Sequence, residues 1–346
     1  MSRMNVGRWK AAVAGLGLVV LLLGCRSSTG GASPGGGAGG GPGTAGAGGG
    51  AMDGAADHPE DAQSDAGGAG GGADAGGASS VAAVVVQNIT YLDMPNRYSE
   101  IHGAITDVPA AFLDEITLCA GDTPTFATVG GCEVIECAIE GPDIVGVAYA
   151  GLLGLLVDRG PITASSGNAS ATATYGDTYT WANHDWNTPP PASLVWQPGA
   201  DVRVVGGGQG DLPAFDGSLT FPPHVSAAGA LLASGIISVP AASPFDVTWT
   251  ATASGGTAPP GNATIELLGQ GAATLAPSPP FVAAKCHAPL AAGSFTLPPA
   301  LLAYFAAGPN ALLTVSSDTR QSVAAGGRAV SLVARDVIEA TLVFTR

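Results

Sequence analysis

Between Gly30 and Gly77 the chain consists of Gly, Ala, Ser, Pro and scattered acids, with almost no side chain large enough to bury. Such a stretch cannot offset the entropy of ordering its own backbone. The fold must therefore be made elsewhere, and residues 25–80 read as a disordered Gly/Ala-rich linker. As a flexible coil, about 55 residues have an r.m.s. span of roughly 40 Å. Asp53, Asp57, Glu60, Asp61, Asp65 and Asp74 repel one another and keep it expanded, and His58 among them reads as a solvated linker residue. From Val81 onward about 266 residues remain, enough for two β-domains or one large one.

Upstream of the linker, Arg3, Arg8 and Lys10 stand without an acidic residue, followed by an uncharged run of 13 residues from Ala11 to Leu23. A spanning helix needs roughly 20 apolar residues, so the run suits the hydrophobic region of a secretory signal. It ends in Leu22-Leu23-Gly24-Cys25, which resembles the lipobox of bacterial lipoprotein signal peptides. The resemblance implies that residues 1–24 are a cleaved signal peptide. Cys25 would then be the lipidated first residue, its thiol joined to diacylglycerol and its new amino group acylated, for example with palmitate. Two or three acyl chains anchor stably where one is marginal. Arg26 stands where an Asp would favour inner-membrane retention, so the expected location is the bacterial outer membrane or cell surface.

The chain carries 12 Lys+Arg against 27 Asp+Glu, and removing residues 1–24 leaves 9 − 27 = −18. Nucleic acid is a poor partner for such a surface, because phosphate binding needs clustered cations. Apart from Cys25 there are four cysteines, Cys119, Cys132, Cys137 and Cys286. An even number in an exported domain indicates disulfides. Cys119 and Cys132 flank a turn-rich loop, so the expected pairs are Cys119 with Cys132 and Cys137 with Cys286. No C-x-x-C pair suggests zinc.

The pattern after Val81 is β throughout. Ser170 to Tyr175 alternates Thr with Ala, the signature of a half-buried strand, and Asp201 to Val205 and Phe245 to Thr250 alternate likewise. Trp249, Val247 and Phe245 share the inward row. In Cys132 to Cys137 the acids Glu133 and Glu136 differ in parity, which predicts a frayed or bulged strand. Ile144 to Val157 reads as a strand, with a short buried helix as its rival. Pro298-Pro299 opens a helical turn. Ala329 to Ala334 and Val337 to Phe344 read as two strands on either side of Arg335-Asp336. Short strands at this spacing indicate sandwiches or barrels. The expected fold is all-β, with two β-sandwich units at 81–227 and 228–346. The second, with strands broken by one helical crossover, resembles immunoglobulin-like modules, and the expectation extends to both.

Three stretches together are similar to a group of myxobacterial secreted lipoproteins to which no activity is attached. They are the lipobox with its linker, the segment Trp196 to Val204 continuing through Leu212 to Pro222, and Phe295 to Ala303. The resemblance implies localisation and β-architecture only.

Nucleophile, metalloprotease, Walker A and EF-hand motifs are absent. Of the histidines, His58, His102, His184, His224 and His287, none lies at ligand spacing from another. The densest polar-aromatic cluster is Trp181, Asn183, His184, Asp185 and Trp186. Trp faces stack on sugar rings and the amide and carboxylate bond hydroxyls, so this stretch is the candidate ligand-binding site; core packing of the tryptophans is the plainer alternative. Asp211 and Asp216 are a candidate calcium pair. No cofactor, catalytic residue or resident metal is assigned. Two functions follow: an anchored, non-catalytic protein acting in binding, adhesion or envelope structure, with polysaccharide or an envelope protein as partner, or a lipid-anchored hydrolase with an active site built from loops.

Overall fold

Alternating small-polar and apolar residues make strands wherever a partner lies alongside, and seventeen form among the described residues. The computed structural model describes residues 80–93, 97–109, 125–137, 158–176, 179–183, 194–210, 212–232, 236–253, 260–272 and 281–346. Residues 1–79, on which the expected signal peptide and nearly all of the expected linker fall, and the segment from Ile144 to Val157 lie outside them; Ser80 already belongs to the first strand.

In chain order the strands are β1 (Ser80–Tyr91), β2 (Arg97–Pro109), β3 (Thr125–Val129), β4 (Cys132–Cys137), β5 (Ile162–Ser166), β6 (Ala169–Tyr175), β7 (Tyr179–Ala182), β8 (Asp201–Gly206) and β9 (Phe215–Thr220). There follow β10 (His224–Ala227), β11 (Ile237–Pro240), β12 (Phe245–Thr252), β13 (Asn262–Gln270), β14 (Phe281–Pro289), β15 (Ser294–Leu297), β16 (Asn310–Ala325) and β17 (Arg328–Thr345). One α-turn, α1 (Pro299–Leu302), begins on the expected proline.

The fold is all-β. A large sheet runs β3-β4-β14-β13-β16-β17-β1-β2-β7-β6-β5-β8-β9, with β11 pairing β17 beside this path, and a second sheet runs β10-β12-β15. β1 and β11 lie parallel to β17 and the other pairs are antiparallel. Strands from both sides of residue 228 pair with one another: β1 with β17, and β4 with β14.

The hairpin β16–β17 is the longest feature and spans two cores. Leu313, Val315, Ile338 and Leu342 belong to one core with Val247, Trp249 and Leu301. Ala325, Leu332 and Ala334 belong to the other with Val84, Ile101, Trp196 and Phe215. Its turn is Gly326-Gly327 at φ +57° and +86°, the left-handed pair that a two-residue hairpin loop requires. Near that turn β9 presses on the hairpin. A Cβ on Gly217 would sit 2.5 Å from Leu332 Cδ1 and 2.6 Å from Val323 Cγ1, so only glycine fits there.

Three expectations change. β17 is one strand of 18 residues running through Arg335-Asp336, because both charges find partners inside the fold. β4 pairs regularly with β3 and with β14, without a bulge: Glu133 is exposed and Glu136 half-buried, so neither acid is forced into a core. The disulfide joins Cys132 to Cys286, directly opposite each other on β4 and β14. Cys132 therefore pairs with neither Cys119 nor a hairpin partner, and Cys286 is not the partner of Cys137. Both half-cystines are fully buried.

The bridge closes a sequence separation of 154 residues, which makes its restraint on the unfolded chain large. Replacing both Cys132 and Cys286 by Ala should lower the unfolding free energy by about 2–5 kcal/mol, read from urea denaturation, with the β3–β4 hairpin losing amide protection first.

Candidate functional site

The described members of the aromatic stretch serve the core. Trp181 on β7 faces Ile101 of β2 in register and packs edge-on against fully buried Trp196, with ring centroids 6.3 Å apart and planes at 63°. Asn183 continues the β2 pairing: its N–H donates to Ser99 O at 3.1 Å, and its side-chain oxygen accepts from Ser99 N–H at 2.9 Å. His184, Asp185 and Trp186 lie outside the described residues. Asp216 is held by the Arg203 guanidinium through two hydrogen bonds on the exposed face of β8–β9, and Asp211 lies outside the described residues.

The structure concentrates its buried polar chemistry instead in a band across the middle of the large sheet. Successive residues of a strand face opposite sides, so Arg335 and Asp336 send their charges in opposite directions. Asp336, 1% exposed, lies between Ala334 in one core and Ile338 in the other. Its Oδ1 accepts from Val225 N–H at 2.8 Å and from His224 Nδ1 at 2.9 Å, and its Oδ2 from Asn88 Nδ2 at 3.3 Å. Asn88, opposite Asp336 in register, also donates to Trp196 O at 2.9 Å and accepts from Ser99 Oγ at 2.6 Å. Ser99 Oγ in turn accepts from Val195 N–H.

On the other face Arg335 donates to Glu266 Oε2 at 3.0 Å, Asp318 Oδ1 at 3.1 Å and Ser316 Oγ at 3.0 Å. Lys285 Nζ lies 3.7 Å from Glu266 Oε1. Burial works against the charge of Asp318, but Arg335 and Arg320 outweigh it and hold the carboxyl below its usual range. Further along this face Gln87 donates to Glu100, which pairs His102 at 2.9 Å. Burial pulls the His102 imidazole down, and the charge and hydrogen bond of Glu100 more than offset it, so its pKa is raised.

A buried carboxylate holding one imidazole nitrogen is also how a general base is oriented. Here, however, the imidazoles are dispersed: His102 on β2, His224 on β10 and His287 on β14. Among the described residues no Ser, Thr or Cys bonds the His224 ring, and no three His, Cys, Asp or Glu side chains are placed to hold a metal ion. The only sign of this band in the sequence is a charged dipeptide, Arg335-Asp336, inside an otherwise apolar run.

Removing one partner of a buried charge set leaves the others uncompensated, at a cost of about 3–5 kcal/mol. Arg335→Leu should destabilise the fold by that amount in thermal or urea unfolding, and adding Glu266→Gln and Asp318→Asn should recover most of it. Comparison with protein families finds no family model that matches the chain, and comparison with characterised proteins finds no match either.

Proposed function

We propose that this chain is a lipoprotein of the bacterial outer membrane or cell surface, held by acyl chains on Cys25, whose β-domain acts without catalysis in binding, adhesion or envelope structure. The observation that carries the reading is Leu22-Leu23-Gly24-Cys25 after a short uncharged run. Behind it, residues 26–79 supply reach and the β-domain supplies the working surface. The similarity to myxobacterial secreted lipoproteins agrees with this arrangement. Two features of the domain support a non-catalytic role. The buried charges Glu266, Arg335 and Asp336 are engaged by other groups of the fold, and its described histidines stand on three different strands. The partner is a polysaccharide or an envelope protein, since the net charge disfavours nucleic acid.

The hydrolase reading has one geometric point in its favour, the Asp336–His224 pair, but that carboxylate is shared with Val225 N–H and Asn88, the pattern of a structural joint. In cells fed labelled palmitate the protein should take up label and sediment with the outer membrane. Cys25→Ala should abolish the label and release the protein to the soluble fraction. A Cys25→Ala protein that keeps its label and its membrane fraction would remove the anchor from the proposal.

A further inference from the structure

The chain leaves the large sheet after β9 and enters the three-stranded sheet at β10 through residues 221–223. The large sheet fastens this crossing at three places. Thr319 Oγ1 donates to Thr220 O at 2.6 Å, Ser317 Oγ donates to Pro223 O at 2.5 Å, and Asp336 Oδ1 accepts from Val225 N–H and His224 Nδ1. β10 then pairs with β12 and β12 with β15, so what holds β10 also bears on the rest of the smaller sheet. Of these fastenings, only His224 carries a proton that titrates near neutral pH. Its side chain is 32% exposed while that of Asp336 is 2% exposed, so the proton can exchange with solvent while the carboxylate stays dry.

We propose that His224 and Asp336 form a proton-operated clasp: the charged ring holds the three-stranded sheet to the large sheet, and the hold slackens as the ring loses its proton. A neutral ring can keep its hydrogen bond, but it no longer neutralises a carboxylate buried between two apolar cores. The charged groups acting on the ring are Asp336 of β17, which favours the proton, and Arg97 of β2, which opposes it. β12 places Thr252 opposite His224 and β16 contributes Ser317 beneath the crossing, neither ionisable; Asp318 of β16 is engaged by Arg335 on the other face. The hydrogen bond to Asp336 raises the ring's pKa against a smaller opposing effect of burial. A raised folded-state pKa means that the stabilisation is complete below the unfolded value, about 6.5, and is lost as pH rises through the folded value. His102 differs, because its carboxylate partner Glu100 is on its own strand and is shared with Gln87 of β1, so its titration acts within the large sheet and not between the two sheets.

The test is amide hydrogen exchange on the full chain from pH 6 to pH 9, with rates converted to protection factors so that intrinsic base catalysis cancels. Protection of 224–227 and 245–252 should fall by about three- to tenfold, where one pKa unit corresponds to tenfold, while β13 and β14 stay level. In His224→Gln, which keeps a donor but does not titrate, protection of the same peptides should be flat with pH. An equal fall in His224→Gln, or no fall in the unaltered chain, overturns the clasp. Should the variant not fold, NMR of the unaltered chain decides. A His224 midpoint above about 6.5, with the Val225 amide shift titrating alongside it, supports the clasp; a midpoint at or below that value overturns it.

Discussion

A buried charge is tolerated only where the fold supplies its partners, and the centre of this structure is organised by that requirement. Arg335 and Asp336 are adjacent in the longest strand, so strand geometry sends one to each face. Asp336 gathers β1 and the start of β10 around a single carboxylate. Arg335 gathers β13 and β16 through Glu266, Asp318 and Ser316. Were either residue apolar, the groups it holds would be left buried without their partner.

The two cores lie along the same face of the β16–β17 hairpin, and the polar band separates them. Along β1, Ala82, Val84 and Val86 serve one core, Asn88 the band, and Leu92 the other core. Along β16, Val315, Ser317 and Val323 repeat that order. The two halves therefore share strands instead of meeting at a linker. Each half contributes large apolar burial, about 1.5–3 kcal/mol for a fully buried Val, Leu, Ile or Phe side chain. The hydrogen bonds between the cores add little net stability each, about 0.5–1.5 kcal/mol, but they select one arrangement of the layers. The Cys132–Cys286 bridge ties β4 to β14 toward the other end of the large sheet, where the two strands also pair in register.

Among the described residues, the buried polar groups are concentrated along the middle of the large sheet. Trp181 turns to the core beside Trp196, Asn183 extends strand pairing, and Asp216 is paired with Arg203.

The class of the fold was legible in the sequence. Strict alternation in Ser170 to Tyr175, Asp201 to Val205 and Phe245 to Thr250 reports a half-buried strand directly, because the period of side-chain facing is a local property. The proline-led helical turn and the inward row of Trp249 were local too. Strand partners were not legible. Nothing near Cys132 indicates Cys286, and nothing near Arg335 indicates Glu266, because each pairing depends on which strands the topology sets side by side. The break expected at Arg335-Asp336 shows the same limit. A charged dipeptide reads as a surface turn until tertiary contacts supply opposite charge on both faces of the sheet. The sequence by itself determined that the chain after Val81 is β-structured, acidic and preceded by a stretch that cannot bury a core. Only the tertiary structure decided that strands from its two halves share one sheet and that its charges meet inside it, because those outcomes arise from contacts between residues up to 248 positions apart.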